Sequence, residues 1–282
     1  MTLVNTHTIA DEESLKKILK FIHQNKGLDL HSYRDNFLYR RLRLRMQTTK
    51  VLGAYEYIGL LEKSPEEYAL FLDALSINVT EFFRDPDVFE AFKKNVLAGL
   101  ITRKAASDFR SLRIWSSACA SGEEAYSLAI LIKEELKDNR HLVVKILATD
   151  IDAQALEKAK KAAYPLKELK KIPRDILKKY FTTVDSETYY LTDEIKQMVK
   201  FQQHNIFHTP GFKNIDVIFC RNIMIYLSRQ QMIELFKKFH QLLNPGGYLV
   251  LGKVESLWER TLFIPVDLRA KIYQKASLIE KE

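Results

Sequence analysis

Residues 114–130, IWSSACASGEEAYSLAI, run from a short apolar stretch through a tight turn into the start of a helix. In an open α/β sheet such a turn lies beyond the carboxyl end of a strand, where ligands bind, and the next helix offers free N–H groups. The small side chains of Ala118, Cys119, Ala120 and Ser121 let a ligand approach the backbone. A pyrophosphate would require more glycine than the single Gly122, and Glu123 and Glu124 beside it would repel a phosphate. Carboxylates at that place favour a cation or ribose hydroxyls. Ser121 and Glu124 also fit a capping box, which gives Glu124 a local task and leaves Glu123 the ligand role. Ala118, Glu123 and Glu124 all stand in the set expected to line a cofactor site.

A second apolar stretch ends in ATDID, 148–152. An acid at the end of the second strand can accept both ribose hydroxyls, and Asp150 has that position. Asp152 caps the helix that starts at Ala153. A cofactor with a ribose, a positive centre and no phosphate meets these demands, and S-adenosylmethionine is such a molecule. His204 and His208 stand four apart but lack a third ligand, so no metal is expected. Cys119 and Cys220 end two strands expected to be neighbours and read as buried, reduced thiols.

The elements that must position these residues follow from periodicity. The apolar residues Leu15, Ile18, Leu19 and Ile22 recur at helical spacing, as do Phe37, Leu38, Leu42 and Leu44. Two further helices follow, the second opening on Pro65. Residues 1–76 therefore read as a small, basic, all-helical domain. From about residue 110 short β-branched or aromatic runs take over: 113–118, 143–150, 199–206, 215–220 and 247–252. Helices between them imply a mostly parallel sheet covered on both faces. Ser228 and Gln231 form a capping box for the helix before the fifth strand. The last stretch, LFIPVDLRAKIYQK, has no helix between its two runs and reads as a hairpin, which makes the sheet mixed. The second domain spans 77–282, with a linker at 77–110 and a small β insert near 182–198.

The 282 residues carry 44 Lys and Arg against 36 Asp and Glu, a net charge of +8 that favours an acidic partner. The arginines gather in 33–50, where Arg34, Arg40, Arg41 and Arg45 are candidates for docking an acidic protein surface. A second basic stretch runs from Lys158 to Lys179. Two cysteines are too few for a disulfide scaffold, no apolar run reaches the length of a membrane span, and the first residues do not read as a signal peptide. A reduced, cytoplasmic protein, monomeric and not inserted in a membrane, is expected.

SINVTEFFRDPDVFEAF (76–92), the 114–130 turn, ATDID, FQQHNI, VIFCRNIMIYL and NPGGYLVLGKVESL occur in that order. Together they resemble the CheR-type chemotaxis receptor glutamate O-methyltransferases. The resemblance implies a Rossmann-like class I methyltransferase fold with a mixed, mostly parallel seven-stranded sheet, preceded by the all-helical domain. It implies that Asn78, Thr80 and Arg84 reach the S-adenosylmethionine pocket, that Asn205 and Ile206 contact adenine, that Arg221 and Asn222 line the site, and that Tyr226 faces the methyl group. Phe82, Phe83 and Phe89 read as core. There are two departures: SACASG is poorer in glycine than the family's usual turn, and Lys253 and Val254 stand where His and Ser are expected.

The reaction so implied is esterification of glutamate carboxylates on the cytoplasmic domain of methyl-accepting receptors, with S-adenosylhomocysteine as product. A glutamate, with a reference pKa of about 4.3, is already ionised at neutral pH and needs no general base. Arg84 and Tyr226 are the candidates for orienting it. The insert looks short for gripping a receptor peptide, which favours tail-independent recognition. Rival readings are a methyltransferase for RNA or a small molecule, and a cofactor-binding regulator without catalysis. Against the first, no Pro-Pro-Tyr follows the fourth strand, and nucleic acid is not an expected partner.

Overall fold

The computed structural model describes residues 12–26, 30, 33–75, 80–108, 110–136, 139 and 141–277. Asn78 and the expected boundary at 76–77 lie outside them. The chain forms two compact units, one of residues 1–77 with 226–231 and one of the remainder.

The helical unit holds α1 (Glu12–Lys26), α2 (Asp35–Thr48), α3 (Ala54–Lys63) and α4 (Pro65–Leu75). Leu15, Ile18 and Ile22 of α1 and Leu38, Leu42 and Met46 of α2 are spaced at three or four residues and are buried with Tyr57, Leu61 and Phe71. Leu44 is exposed instead, because two residues beyond Leu42 a helix has turned roughly 200° away from the apolar face. Pro65 is the first residue of α4, and Ser64 Oγ accepts the Glu67 N–H at 3.1 Å.

The arginines of α2 do not form one solvent-facing set. Arg45, grouped by sequence with the docking residues, is half-buried and paired: its Nε and one terminal nitrogen bond the Glu67 carboxylate at 3.0 and 2.5 Å. Tyr57 Oη donates to the same carboxylate at 2.7 Å, so one ion pair joins α2, α3 and α4. Arg45 therefore does packing work, because α4 covers the edge of the apolar face on which it stands. Arg34 is also engaged. Its N–H bonds the Tyr226 carbonyl at 2.9 Å and its Nε the Leu227 carbonyl at 2.9 Å. Arg41 lies over the Phe37 ring at 5.5 Å, and Arg40 is exposed. The Tyr226 ring packs on Phe37 with centroids 4.6 Å apart.

The second unit begins with α5 (Pro86–Phe92), which runs through a π turn at Lys93–Leu97 into α6 (Ala98–Ala105). The expected linker is thus largely helix. There follow β1 (Ser111–Ser117), α7 (Glu123–Leu136), β2 (Val143–Asp150), α8 (Ala153–Lys161), β3 (Ala163–Pro165), α9 (Arg174–Tyr180), β4 (Phe181–Thr183), β5 (Thr188–Leu191), α10 (Asp193–Lys196) and β6 (Val199–Gln203). The chain closes with β7 (Ile215–Cys220), α11 (Arg229–Leu242), β8 (Leu243–Leu251), β9 (Phe263–Asp267) and β10 (Ile272–Lys275). The seven-stranded sheet has the order β6-β2-β1-β7-β8-β10-β9. Its first five strands are mutually parallel, and β10 is antiparallel to both neighbours, as the terminal hairpin requires. A second, antiparallel sheet has the order β3-β5-β4.

Successive connections step outward from β1 in one direction and from β7 in the other. Right-handed crossovers then put helices on both faces and a switch point between β1 and β7. Every residue of β7 is buried, as a strand covered on both faces must be. Phe82 and Phe89 are buried, and Phe83 is half-buried against the same cluster. Asp152 caps α8, its Oδ1 accepting from Gln154 and Ala155 at 2.8 and 3.1 Å. Ser228 and Gln231 form their reciprocal cap at the start of α11. Among the described residues no helix is long and apolar enough to cross a membrane.

Candidate functional site

The turn after β1 is made by alanines where glycine would be unstrained. Ala118 and Ala120 have φ of 59° and 46°, the left-handed region that costs an L residue roughly 1–2 kcal/mol. Such strain persists only where the surroundings impose it. Here the Cys119 N–H bonds the Thr149 carbonyl at 3.0 Å, and the Ala120 N–H bonds Asp150 Oδ2 at 2.8 Å. Gly122, with φ of 94°, answers to packing: a Cβ there would lie 2.9 Å from Ala159 Cβ and 3.1 Å from the Phe201 ring. The one glycine thus lets α7 and α8 close up, and the ligand side of the turn is left to small side chains.

Three carboxylates gather at this end of the sheet, each in a different setting. Asp150 is 8 % exposed, and its second oxygen accepts the Asp152 N–H at 3.0 Å. Burial pushes its pKa up, against the pull of these backbone donors. An ionised carboxylate accepts about four hydrogen bonds, so the N–H groups of Ala120, Ile151 and Asp152 leave acceptor capacity for a ribose hydroxyl. Glu123 is 4 % exposed, receives Ser121 Oγ at 3.0 Å on both oxygens, and is also bonded by Thr80. Burial lifts its pKa to about 7, assisted by the negative charge of Glu168.

Glu124 does not form the expected capping box. Gly122 precedes the first helical residue, Ser121 turns to Glu123, and the Glu124 carboxylate takes Ser116 Oγ at 2.8 Å and Arg221 at 3.2 Å. Arg221, whose side chain is 1 % exposed, is a clamp. It bonds Glu124, the Asp85 carboxylate at 2.6 Å and the Arg84 carbonyl at 2.9 Å, and lies over the Phe89 ring. These bonds hold the segment 80–85, in which Phe83 and Asp85 both have positive φ. The Phe83 N–H bonds Ser127 Oγ at 2.8 Å, and Ser127 in turn bonds the Glu123 carbonyl. Thr80 and Arg84 are thereby fixed beside the first turn of α7.

Two positioning groups carried no signal in the sequence. Asn205 and Ile206 follow β6, where the His204 N–H bonds the Asp150 carbonyl at 2.9 Å. Asn205 Oδ1 accepts the Phe207 N–H at 3.0 Å, so its amide already shapes a turn. Lys238 of α11 caps that turn with bonds to the carbonyls of Ile206, Phe207 and His208. Beyond β7, Asn222 has φ of 62°. Glu255, 2 % exposed, accepts the Met224 N–H at 2.8 Å and the Gly252 N–H at 2.6 Å and is also bonded by the N–H groups of Asn222 and Ile223. Gly252 is required here, since a Cβ would lie 2.8 Å from Glu255 Oε2 and 3.0 Å from the Asn222 nitrogen. Glu255 is adjacent to the departing pair Lys253 and Val254. Lys253 bonds Asp87 at 2.7 Å, and Val254 is exposed.

The second unit thus brings Thr80, Arg84, Ala118, Glu123, Glu124, Asp150, Asn205, Ile206, Arg221 and Asn222 to the carboxyl edge of its parallel strands. Tyr226 belongs to the helical unit. The donor set suits a phosphate-free, cationic nucleoside: a carboxylate with acceptor capacity for the ribose at Asp150 and a buried acid for a cationic group at Glu123. Cys119 and Cys220 are buried free thiols, with burial pushing both pKa values up. Among the described residues no group of three or more His, Cys, Asp or Glu could hold a metal.

Comparison with known proteins agrees with this chemistry. Residues 13–76 match the all-alpha domain of CheR methyltransferases, and residues 78–272 match their SAM binding domain. A chemotaxis protein methyltransferase of Borreliella burgdorferi is 32% identical over 87% of this chain and 89% of its own. Chemotaxis protein methyltransferase 2 of Vibrio cholerae is 32% identical over 84% of this chain and 83% of its own, and that of Pseudomonas aeruginosa is 32% identical over 86% of each. With both domains matched in order and relatives that align over most of their length, the chain belongs to the CheR family of S-adenosylmethionine-dependent chemotaxis methyltransferases.

Proposed function

We propose that the protein esterifies glutamate side chains on the cytoplasmic domain of methyl-accepting chemotaxis receptors. The observation that carries this reading is the turn at 118–122, bonded to Asp150 and followed by the buried acid Glu123. Asp150 would hold the ribose, Glu123 the amino-acid end with its cationic group, and Asn205 and Ile206 the adenine. Bound there, S-adenosylmethionine supplies an electrophilic methyl carbon on a sulfonium centre. The acceptor carboxylate is ionised at neutral pH, so no residue of the chain has to remove a proton. What remains is alignment and exclusion of water. Arg84, its backbone fixed by Arg221, turns the acceptor carboxylate, and the family resemblance gives Tyr226 a second orienting role.

The assay is methyl transfer to a purified receptor cytoplasmic domain. Arg84→Ala and Tyr226→Phe are each expected to lower turnover by about tenfold or more. Full rates in both would remove the orienting roles.

Glu123 adds a pH dependence. Its folded pKa of about 7 lies above the ordinary 4.5, so its contribution to stability is complete below pH 4.5 and is lost as pH rises to about 7. A cationic ligand favours the ionised acid, so affinity has the opposite trend. S-adenosylhomocysteine, which keeps the ammonium group, is expected to bind about tenfold more weakly at pH 6 than at pH 8. Glu123→Gln should bind weakly with a flat profile in isothermal titration. A flat wild-type profile would remove Glu123 from the ligand.

A further inference from the structure

The second basic stretch supplies none of the residues gathered at the cofactor site. Within it the loop LKELKKIPR, residues 166–174, connects β3 to the start of α9. Many lysines around it have ordinary structural reasons. Those in the last turns of α8 and α9 complement the helix dipoles. Lys171 pairs with Glu81 at 2.7 Å. Lys167, Lys170 and Arg174 have neither reason. They are exposed and form no ion pair among the described residues, and Arg174 opens α9 at the end where a cation is disfavoured.

The loop is anchored and adjoins the cofactor turn. Leu169 and Ile172 anchor it in the core at 1 % and 5 % exposure, and the Leu166 N–H bonds the Glu187 carbonyl at 2.9 Å. Two links tie it to the site. Tyr164 Oη, in the β3 strand that leads into the loop, donates to the Ser121 carbonyl at 2.8 Å, and Lys171 holds Glu81 of the segment that carries Arg84. Because these contacts anchor the backbone of the loop, three exposed cations, Lys167, Lys170 and Arg174, are carried on one short segment beside the site.

We propose that Lys167, Lys170 and Arg174 dock the acidic flank of the substrate protein, selecting a glutamate set among other carboxylates. This rests on the reading of the site as a glutamate methyltransferase. An acceptor that is itself a carboxylate brings acidic chain to this edge of the sheet, and complementary charge on a rim raises the encounter rate and fixes register. The loop contains no aromatic residue, the stacking platform that single-stranded nucleic acid uses. Its exposed apolar side chains, Leu166 and Pro173, are too little for insertion into a bilayer.

The test uses the full chain and labelled poly-L-glutamate, with S-adenosylhomocysteine titrated into the same samples. The triple variant Lys167→Glu, Lys170→Glu, Arg174→Glu is expected to bind the polymer about tenfold more weakly, with a shallower salt dependence. Its affinity for S-adenosylhomocysteine should stay within about twofold of wild type. The corresponding glutamine triple should lie between, and reversal of three exposed lysines elsewhere, Lys16, Lys20 and Lys237, should have little effect. Equal losses in the rim and control triples would overturn the proposal. So would tighter binding of oligothymidine or of phosphatidylserine vesicles than of poly-L-glutamate through the same three residues. A wild type that binds the polymer through the rim but no S-adenosylhomocysteine would overturn the reading of the cofactor site instead.

Discussion

Asp150→Ala is expected to weaken S-adenosylhomocysteine binding by about 100-fold or more, since hydrogen bonds to a charged acceptor contribute about 1.5–3 kcal/mol each. Two losses combine in this one change. The ribose loses its acceptor, and the N–H groups of Ala120 and Asp152 lose theirs. The Ala120 bond also holds a left-handed alanine, so the turn itself relaxes. Asp150→Asn separates the two effects. An amide can keep one backbone bond through its oxygen but presents N–H₂ at the other, so an intermediate affinity is expected. Calorimetric titration of the three proteins decides it. An alanine variant that binds within a few-fold of wild type would take Asp150 out of the ribose site.

Arg221→Met is the second large effect, and it appears first in stability. The guanidinium is the cation between Asp85 and Glu124, both partly buried, and it also bonds the Arg84 carbonyl. Removing one partner of a buried ion pair costs about 3–5 kcal/mol, because the acids are left without compensation. At roughly 2–4 °C per kcal/mol for a domain of this size, Tm should fall by about 10 °C or more. Arg221→Lys should recover little, since an ammonium cannot reach three acceptors in the geometry of the guanidinium fork. Adding Glu124→Gln to Arg221→Met should restore part of the loss by removing one uncompensated charge. Thermal unfolding of the single and double variants checks both statements. A double variant no more stable than the single one would mean that the Glu124 charge is not what the arginine offsets.

These two residues show what was legible in the sequence. Asp150 could be placed because its position depends only on the second strand ending where the apolar run ends. The caps at Asp152 and Ser228 are local in the same way: their partners lie within three residues. The parallel strands were readable from buried β-branched runs, and the closing hairpin from the absence of a helix between its strands. The family resemblance pointed to Arg221, but its clamp could not be read, since its partners Asp85 and Glu124 lie 136 and 97 residues away. The same long-range demand explains the failed capping box, because Arg221 and Ser116 claim the acid that Ser121 would have used.

Side chains whose chemistry is ordinary until the fold surrounds them were illegible for the same reason. Lys238 reads as one more surface lysine on an amphipathic helix, yet three consecutive carbonyls bond it. Glu255 sits in a stretch where the neighbouring Lys253 and Val254 drew attention, and only the tertiary structure puts its carboxylate against the backbone of 222–224. Arg45 was grouped with a docking surface because charge along a helix marks exposure, and burial by a neighbouring helix is invisible at that level. Of the other three, Arg40 is exposed, Arg41 lies over the Phe37 ring and Arg34 bonds the Leu227 carbonyl.

The most direct test of the central claim is the chemistry of the product. Wild-type protein, a receptor cytoplasmic domain and S-adenosylmethionine labelled in the methyl group would be incubated together, and the labelled receptor then exposed to mild alkali. The expected result is release of the label as methanol, with peptide mapping placing the modification on glutamate side chains. Label that survives alkali, or that lies on residues other than glutamate, would contradict it.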